Sequence, residues 1–524
     1  MRQDETSDPV NAEAEARGRT ATGVDPMLLG AVAVLGLLSL ILAVAGDGSI
    51  ALALTPIALA VVALAVARAP LRLSLLVLAF LCLTLENPSE APAMYRWKSP
   101  LYTLGALLLA HMNITLPVKA LMFSGLDLAL VLLGGVWVVR RMSGSRIDIE
   151  GHVPPAPPLR RAALICLACI AAVWIHGAAT AGFSFENSLW QLFRVVYLPC
   201  VFLLFCAALR GPVDTRATGT VLLLAALVRA SLAIYLRQRF PSTDFLPHAT
   251  THADSMLFCD AVVIVLVTFF ERPTGRNLAL GMFTLPILGW GMIANNRRLA
   301  WVELAACLVV LYFITPMTRL KRRVGQTVVI LLPAIAIYVA IGWNRPSGLF
   351  APVRILRSVV DAQADTSTLW RDWENYNLYV TVKAAPILGT GFGHGYIEAV
   401  QLPDISRAYA IYRYAPHNSV LGLLAFAGPI GFAGIWLIIP LGIFFAIRAY
   451  RFSYEPRDRA AALACVGVLV AYIVHCFGDM GLGTWTSVFT VGAALAVVAK
   501  QSLAVGAWPL ICRPADGSPV VETP

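Results

Sequence analysis

The chain has 524 residues, of which 58% are hydrophobic and only 13% are charged. That balance excludes an ordinary soluble domain and places the protein in the polytopic membrane class. The formal net charge of +10 does not indicate nucleic acid, because the basic residues lie in short connections between apolar runs.

Residues 1–26 are polar and of mixed charge, with no basic segment followed by an apolar run and a small-residue cleavage site. They read as a disordered cytoplasmic tail rather than a signal peptide. About 20 apolar residues cross the hydrocarbon as a helix, and fourteen runs qualify: 27–46, 49–67, 71–86, 124–139, 161–180, 192–209, 217–236, 254–270, 277–294, 299–316, 326–343, 418–447, 460–477 and 485–503. The stretch 101–118 reads as an interfacial or re-entrant piece. The run 418–447 is long for one span and is expected to tilt or break near Gly428-Pro429. The chain thus divides into a tail at 1–26, eleven spans over 27–343, a polar loop at 344–416, three spans over 417–503 and a second tail at 504–524. Its ten cysteines lie almost wholly in apolar runs, so no disulfide framework is expected. Cys166 and Cys169 read as small helix-packing residues rather than a metal site.

Charge placement gives the orientation. Alternate short connections hold Arg68 and Arg72; Arg140, Arg141, Arg146, Arg160 and Arg161; Arg210 and Arg216; Arg272 and Arg276; Arg319, Lys321, Arg322 and Arg323; and Arg448, Arg451, Arg457 and Arg459. That is nearly half of the 40 basic residues in loops of one parity, which the positive-inside rule assigns to the cytoplasm. The loop 344–416 then faces outward. The PPAPP run at 154–158 is a stiff cytoplasmic connector.

Outward-side arginines are the exceptions. Arg297 and Arg298 join the ninth and tenth spans within NNRRLAW, Arg194 lies inside the sixth span, Arg229 lies deeper in the seventh, and Arg237 and Arg239 follow it. An arginine within a span costs at least roughly 2.5–3.5 kcal/mol on insertion scales, so it lines a polar cavity or has a partner. Snorkelling to headgroups suffices for Arg237 and Arg239. The doublet beside Asn295 and Asn296 reads as functional, since guanidinium presents a planar, permanently charged fork to phosphate.

The large loop balances seven basic residues against six acidic ones and is rich in aromatics, among them Trp370, Trp373, Tyr376, Tyr379, Tyr396 and Tyr412. That mixture suits sugar recognition, and equally a lid at the membrane interface. Helices are expected over 354–364 and 368–385. The segment GTGFGHGY at 389–396 lacks the lysine and following Ser/Thr of a phosphate loop, so a tight turn is the simpler reading. Asp372-Trp373-Glu374 spaces two acids as a metal signature does, yet reads more simply as a solvated helix face. No metal is expected. His417 stands before an apolar helix that Asn418 can cap, leaving the imidazole for proton transfer or anion binding. His248 and His252 are weaker candidates of the same kind, and His475 and Asp479 are candidate polar-pathway residues.

Three of these segments carry a resemblance to the O-antigen ligase and O-antigen polymerase superfamily. RRLAWVEL resembles its arginine motif opening a transmembrane helix, PILGTGFGHGYIEAV its glycine-rich loop segment, and APHNSVLGLLAFAGPIGFAGIW its His-Asn signature with paired glycines Gly428 and Gly431. The likeness covers about 290–440; Phe426 departs from it, standing where many members have glutamate. It implies an all-α polytopic membrane protein of about 12–14 transmembrane helices, with a GT-C-like glycosyltransferase architecture and one large periplasmic loop. It also implies an inverting, metal-independent transferase in the bacterial inner membrane, active on the periplasmic side and needing no cofactor. The donor would be an undecaprenyl-diphosphate-linked oligosaccharide, and the second substrate a glycan acceptor. A flippase and a chain-length regulator are the protein partners it suggests, and no nucleic acid. Arg298 and Arg297 would hold the departing diphosphate, and His417 would bind it or position the acceptor hydroxyl. Asn418, Gly391, Gly393 and His394 join the substrate-binding set, with Arg194 and Arg229 added from their membrane positions alone. The first expectation is a polymerase of repeat units for an O-antigen, exopolysaccharide or capsule. The alternatives are a ligase moving the finished glycan to lipid A core or protein, and, from another class, a flippase or secondary transporter.

Overall fold

The computed structural model describes residues 26–45, 48, 50–86, 100–111, 123–144, 151–241, 248–345, 350, 353, 356–357, 366–402 and 411–509. Residues 1–25 of the expected tail at 1–26, residues 510–524 of the expected tail at 504–524, and nearly all of the expected loop helix at 354–364 lie outside these residues. The described residues are almost entirely helical, with one isolated antiparallel bridge between His111 and Ser124 and no strand. The protein is an all-α polytopic membrane protein.

Two compact units are present, Met1–Ala69 and Pro70–Pro524. The first packs α1 (Pro26–Ala45) on α2 (Ile50–Arg68), and most of its apolar side chains stay exposed, as lipid-facing residues do. The second contains α3 (Leu71–Thr84), α4 (Pro100–Leu109), α5 (Gly125–Met142), α6 (Pro157–Ala178), α7 (Phe185–Ala208), α8 (Pro212–Arg239), α9 (His252–Glu271) and α10 (Gly275–Asn295). It continues with α11 (Arg298–Ile314), α12 (Arg319–Gly342), α13 (Thr366–Ala384), α14 (Ser419–Trp436), α15 (Ile438–Phe452), α16 (Pro456–Gly478) and α17 (Trp485–Ala504).

Each of the fourteen expected spans falls on helix. Nine helical segments among the described residues are long and apolar enough to cross a membrane, with α14 and α15 counted as one, Ser419–Phe452. Three of the remaining five miss for visible reasons: α3 and α11 are short, and α5 carries Asp127, Arg140 and Arg141. The expected break near Gly428-Pro429 is present, with Gly428 at φ 62° and ψ 175° inside α14.

In the second unit α9, α16 and α17 form the buried centre, whereas α12 is exposed along its length. Small residues let these helices approach closely: a Cβ on Gly467 of α16 would meet Val263 of α9 at 2.5 Å. At the end carrying the basic connections, Arg72 and Arg210 converge on the buried Asp214, and Arg459 reaches Glu271 at 2.7 Å. Lys500 near the end of α17 donates to the Val153 carbonyl, tying down the start of the proline-rich connector.

The described part of the polar loop is not a separate module. Leu378 of α13, with Phe392 and Tyr396 beyond it, shares one apolar cluster with Cys166, Ile170 and Val173 of α6 and Leu423 and Phe426 of α14. That part of the loop is thereby seated on the bundle at the end opposite the basic connections.

Candidate active site

The site grows from five helix termini, the ends of α10 and α16 and the starts of α9, α11 and α14. Helix α10 ends because Asn296 adopts the left-handed conformation (φ 54°, ψ 38°), which turns the chain sharply into α11. The amide of the fully buried Asn295 locks that turn to the chain entering α9: Oδ1 accepts from Thr250 N at 2.8 Å, and Nδ2 donates to the Thr251 carbonyl and Ser255 Oγ, each at 3.2 Å. Helix α9 itself starts with a capping box, Thr251 and Asp254 bonding each other's backbone. Arg297 is thus pinned against His252, with one guanidinium nitrogen on His252 Nε2.

His252 Nδ1 lies 2.6 Å from Asp479 Oδ2, at the turn where α16 ends. Arg371 of α13 acts on both Arg297 and Asp479 from the loop side. Burial is the main influence lowering the Arg297 guanidinium to about 10, with Asp479 opposing it and Arg371 adding to it. Burial alone would raise the Asp479 carboxyl, but His252, Arg371 and His475 outweigh it and hold the group well below the ordinary carboxylate range. His248, whose Nδ1 donates to the Asn296 carbonyl at 3.2 Å, is pushed down to about 4 by burial and then by Arg297 and His252.

The second half of the site enters from α13 and α14. Asn418 caps α14, its Oδ1 accepting from Leu421 N at 3.0 Å. One residue earlier, His417 donates its backbone N–H to Glu374 Oε2 at 3.0 Å, and its Nδ1 sits 3.2 Å from the same oxygen. Glu374 is buried while Asp372, two residues before it, is exposed. The acid-x-acid pair is therefore split between a partner for histidine and a solvated position. Ser419 Oγ donates to the Asp479 carbonyl at 3.1 Å, which joins this half to the first. Arg194 of α7 packs against the adjoining turn, with NH2 3.8 Å from Met480 Sδ and its stem against Gly483.

Of the residues singled out in the sequence, Arg297, Arg298, His417, Asn418 and Arg194 lie at this end of the bundle, with Arg298 half-buried at the first position of α11. Arg229 lines a small cavity with Thr251 and Asp254, and its charge there is already met by protein groups. Its guanidinium is bidentate on Asp254, at 2.8 and 2.5 Å, with a further bond to the Thr84 carbonyl. Because Asp254 also caps the turn at Thr251, Arg229 supports the residue next to His252.

Gly391, Gly393 and His394 are likewise engaged in packing. Gly391 N donates to the Phe426 carbonyl at 2.8 Å and Gly393 N to Gln191 Oε1 at 2.5 Å, while His394 Nε2 lies 2.7 Å from Thr180 Oγ. Gly391 has φ +80° and its missing Cβ would sit 2.3 Å from Gly177 Cα, so glycine is required there by backbone approach. The position of Phe426 contributes its carbonyl and a buried ring.

Sequence reasoning takes Glu374 for a solvated helix face and passes over Arg371 and the pairing of His252 with Asp479. The only signal was that each is a charged or titratable residue close to an apolar run; the partners lie far apart in the chain.

A polytopic helical bundle with arginines, histidines and carboxylates gathered at one end is the class that fold and site define. Residues 283–436, from within α10 to the last residue of α14, match the family model described as O-antigen ligase, and over that stretch the chain is O-antigen ligase/polymerase-like. No curated protein matches the chain.

Proposed function

We propose that the protein is a membrane glycosyltransferase that uses a polyprenyl-diphosphate-linked oligosaccharide, of the undecaprenyl type, at the outer face of the bacterial inner membrane. The observation that carries this reading is that Arg297 and Arg371 act on Asp479, which Ser419 ties to the His417–Glu374 half, within or adjoining a segment similar to O-antigen ligase. Guanidinium forks bind diphosphate oxygens bidentately and stabilise the negative charge that develops as the diphosphate departs. That supply of positive charge supports a mechanism without a metal requirement. In the step proposed, the acceptor hydroxyl oxygen attacks the anomeric carbon, the bond from that carbon to the diphosphate oxygen breaks with its electron pair, and configuration inverts. Glu374 on Nδ1 leaves His417 Nε2 to receive or position the hydroxyl proton.

The preferred activity is polymerisation of repeat units into a surface polysaccharide. Transfer of a finished glycan to an acceptor is favoured by the family description, O-antigen ligase, and uses the same donor site. A gel of the surface glycan from a deletion strain separates the two. Single repeats on the acceptor indicate a lost polymerase, and full-length polymer left on the lipid diphosphate indicates a lost ligase. An unchanged glycan would contradict both.

A further inference from the structure

The resting contacts of Arg297 and His252 carry an inference about how the diphosphate is received, and it rests on the donor reading above. His252 occupies the first position of α9, with Nδ1 facing Asp479 Oδ2 and Nε2 facing the Arg297 guanidinium. A guanidinium only donates. Nε2 therefore offers its lone pair, which places the ring proton on Nδ1 beside the Asp479 carboxylate and leaves the resting imidazole neutral.

The groups around the ring are Asp479 after α16, Arg297 at the α10–α11 turn and Arg371 on α13. The His248 ring lies 6.1 Å away in the preceding loop, and the Asp254–Arg229 pair of α9 and α8 lies just beyond the cap. Arg297 is the member of this group that a diphosphate draws away, because phosphate oxygens accept two parallel guanidinium bonds where the imidazole offers one lone pair. Asp479 stays on Nδ1 and would support positive charge on the ring.

We propose that His252 is a donor-recruited phosphate ligand: Arg297 moves from His252 Nε2 onto the arriving diphosphate, and Nε2 takes one proton from water to become a second cationic contact on the same anion. One N–H bond is made on binding and broken when the lipid diphosphate leaves, returning the proton to water. Arg297 and His252 then act as a pair that exchange a bond with each other for two bonds to the substrate.

Calorimetric titration of the detergent-purified full chain with farnesyl diphosphate, at neutral pH in two buffers of different ionisation heat, counts the protons taken up on binding. The wild type is expected to take up close to one. His252→Gln is expected to bind several-fold more weakly with that uptake lost. Asp479→Asn, which keeps a partner for Nδ1 without the charge, is expected to bind with the uptake diminished. Equal uptake by the wild type and His252→Gln, or wild-type binding without uptake, would overturn the proposal and leave the donor site standing. Failure of the wild type to bind farnesyl diphosphate would contradict the donor reading itself, and this inference with it.

Discussion

Glu374 and Arg229 are both buried charges with partners, and they call for different predictions. Glu374 holds His417 through a backbone and a side-chain contact, and a hydrogen bond to a charged group is worth about 1.5–3 kcal/mol. Glu374→Gln keeps the shape and removes the charge, so transfer activity is expected to fall roughly ten- to a hundredfold with unfolding temperature little changed; a loss of folded protein instead would assign Glu374 a structural role. Arg229→Ala strands Asp254 in the bundle, and removing one partner of a buried pair costs about 3–5 kcal/mol. Thermal unfolding in detergent should show that loss, and Arg229→Lys should not restore it because an ammonium cannot form the bidentate contact. His248 supplies a pH test. Its folded value near 4 lies below the ordinary 6.5, so the unfolded chain binds more protons between the two. Stability is complete above about 6.5 and falls as pH drops toward 4. His248→Gln should flatten that part of the profile.

At the scale of elements, the glycine-rich segment is a joint. A Cβ on Gly177 of α6 would meet the Phe392 carbonyl oxygen at 2.0 Å, whereas Gly134 and Gly135 of α5 have nothing within 4 Å. Gly177→Ala and Gly391→Ala should therefore lower the yield of monodisperse protein on size-exclusion chromatography, and Gly135→Ala should not. Equal behaviour of the three would refute the packing account. This segment also shows what a sequence withholds. Glycines spaced through GTGFGHGY are compatible with a phosphate cradle or a close backbone crossing, and only the position of Gly177, over two hundred residues earlier, decides between them. The helices themselves were readable, because a run of about 20 apolar residues has few alternatives, and Gly428-Pro429 announced its own break. Arg297 and His417 stood out as polar residues at the mouths of apolar runs. Glu374 did not, since an acid on an amphipathic loop helix looks solvated until its buried face is known. The partner of Arg229, Asp254, and that of His252, Asp479, come from other helices, and local patterning holds no trace of such pairs.

For the molecule as a whole, the basic connections gather at one end of the second unit and the candidate site at the other. If the bundle is oriented as the positive-inside rule requires, a cysteine placed at the exposed Asp372 in a cysteine-free background is labelled by a membrane-impermeant reagent from the outer side; labelling only after permeabilisation would reverse the topology. Between the two ends, the fully buried Asp260 has neither carboxylate oxygen hydrogen-bonded within the described residues. Replacing an unpaired buried acid removes a desolvation cost, so Asp260→Asn should unfold at an equal or higher temperature. The central claim is that Arg298 and His417 serve one diphosphate-dependent transfer. It is tested most directly by returning Arg298→Ala and His417→Ala to the deletion strain and comparing membrane protein level with glycan length. The account predicts normal levels of both variants with long chains lost, a drop of at least about 10²-fold in transfer for each. Normal chain length in either variant would contradict it.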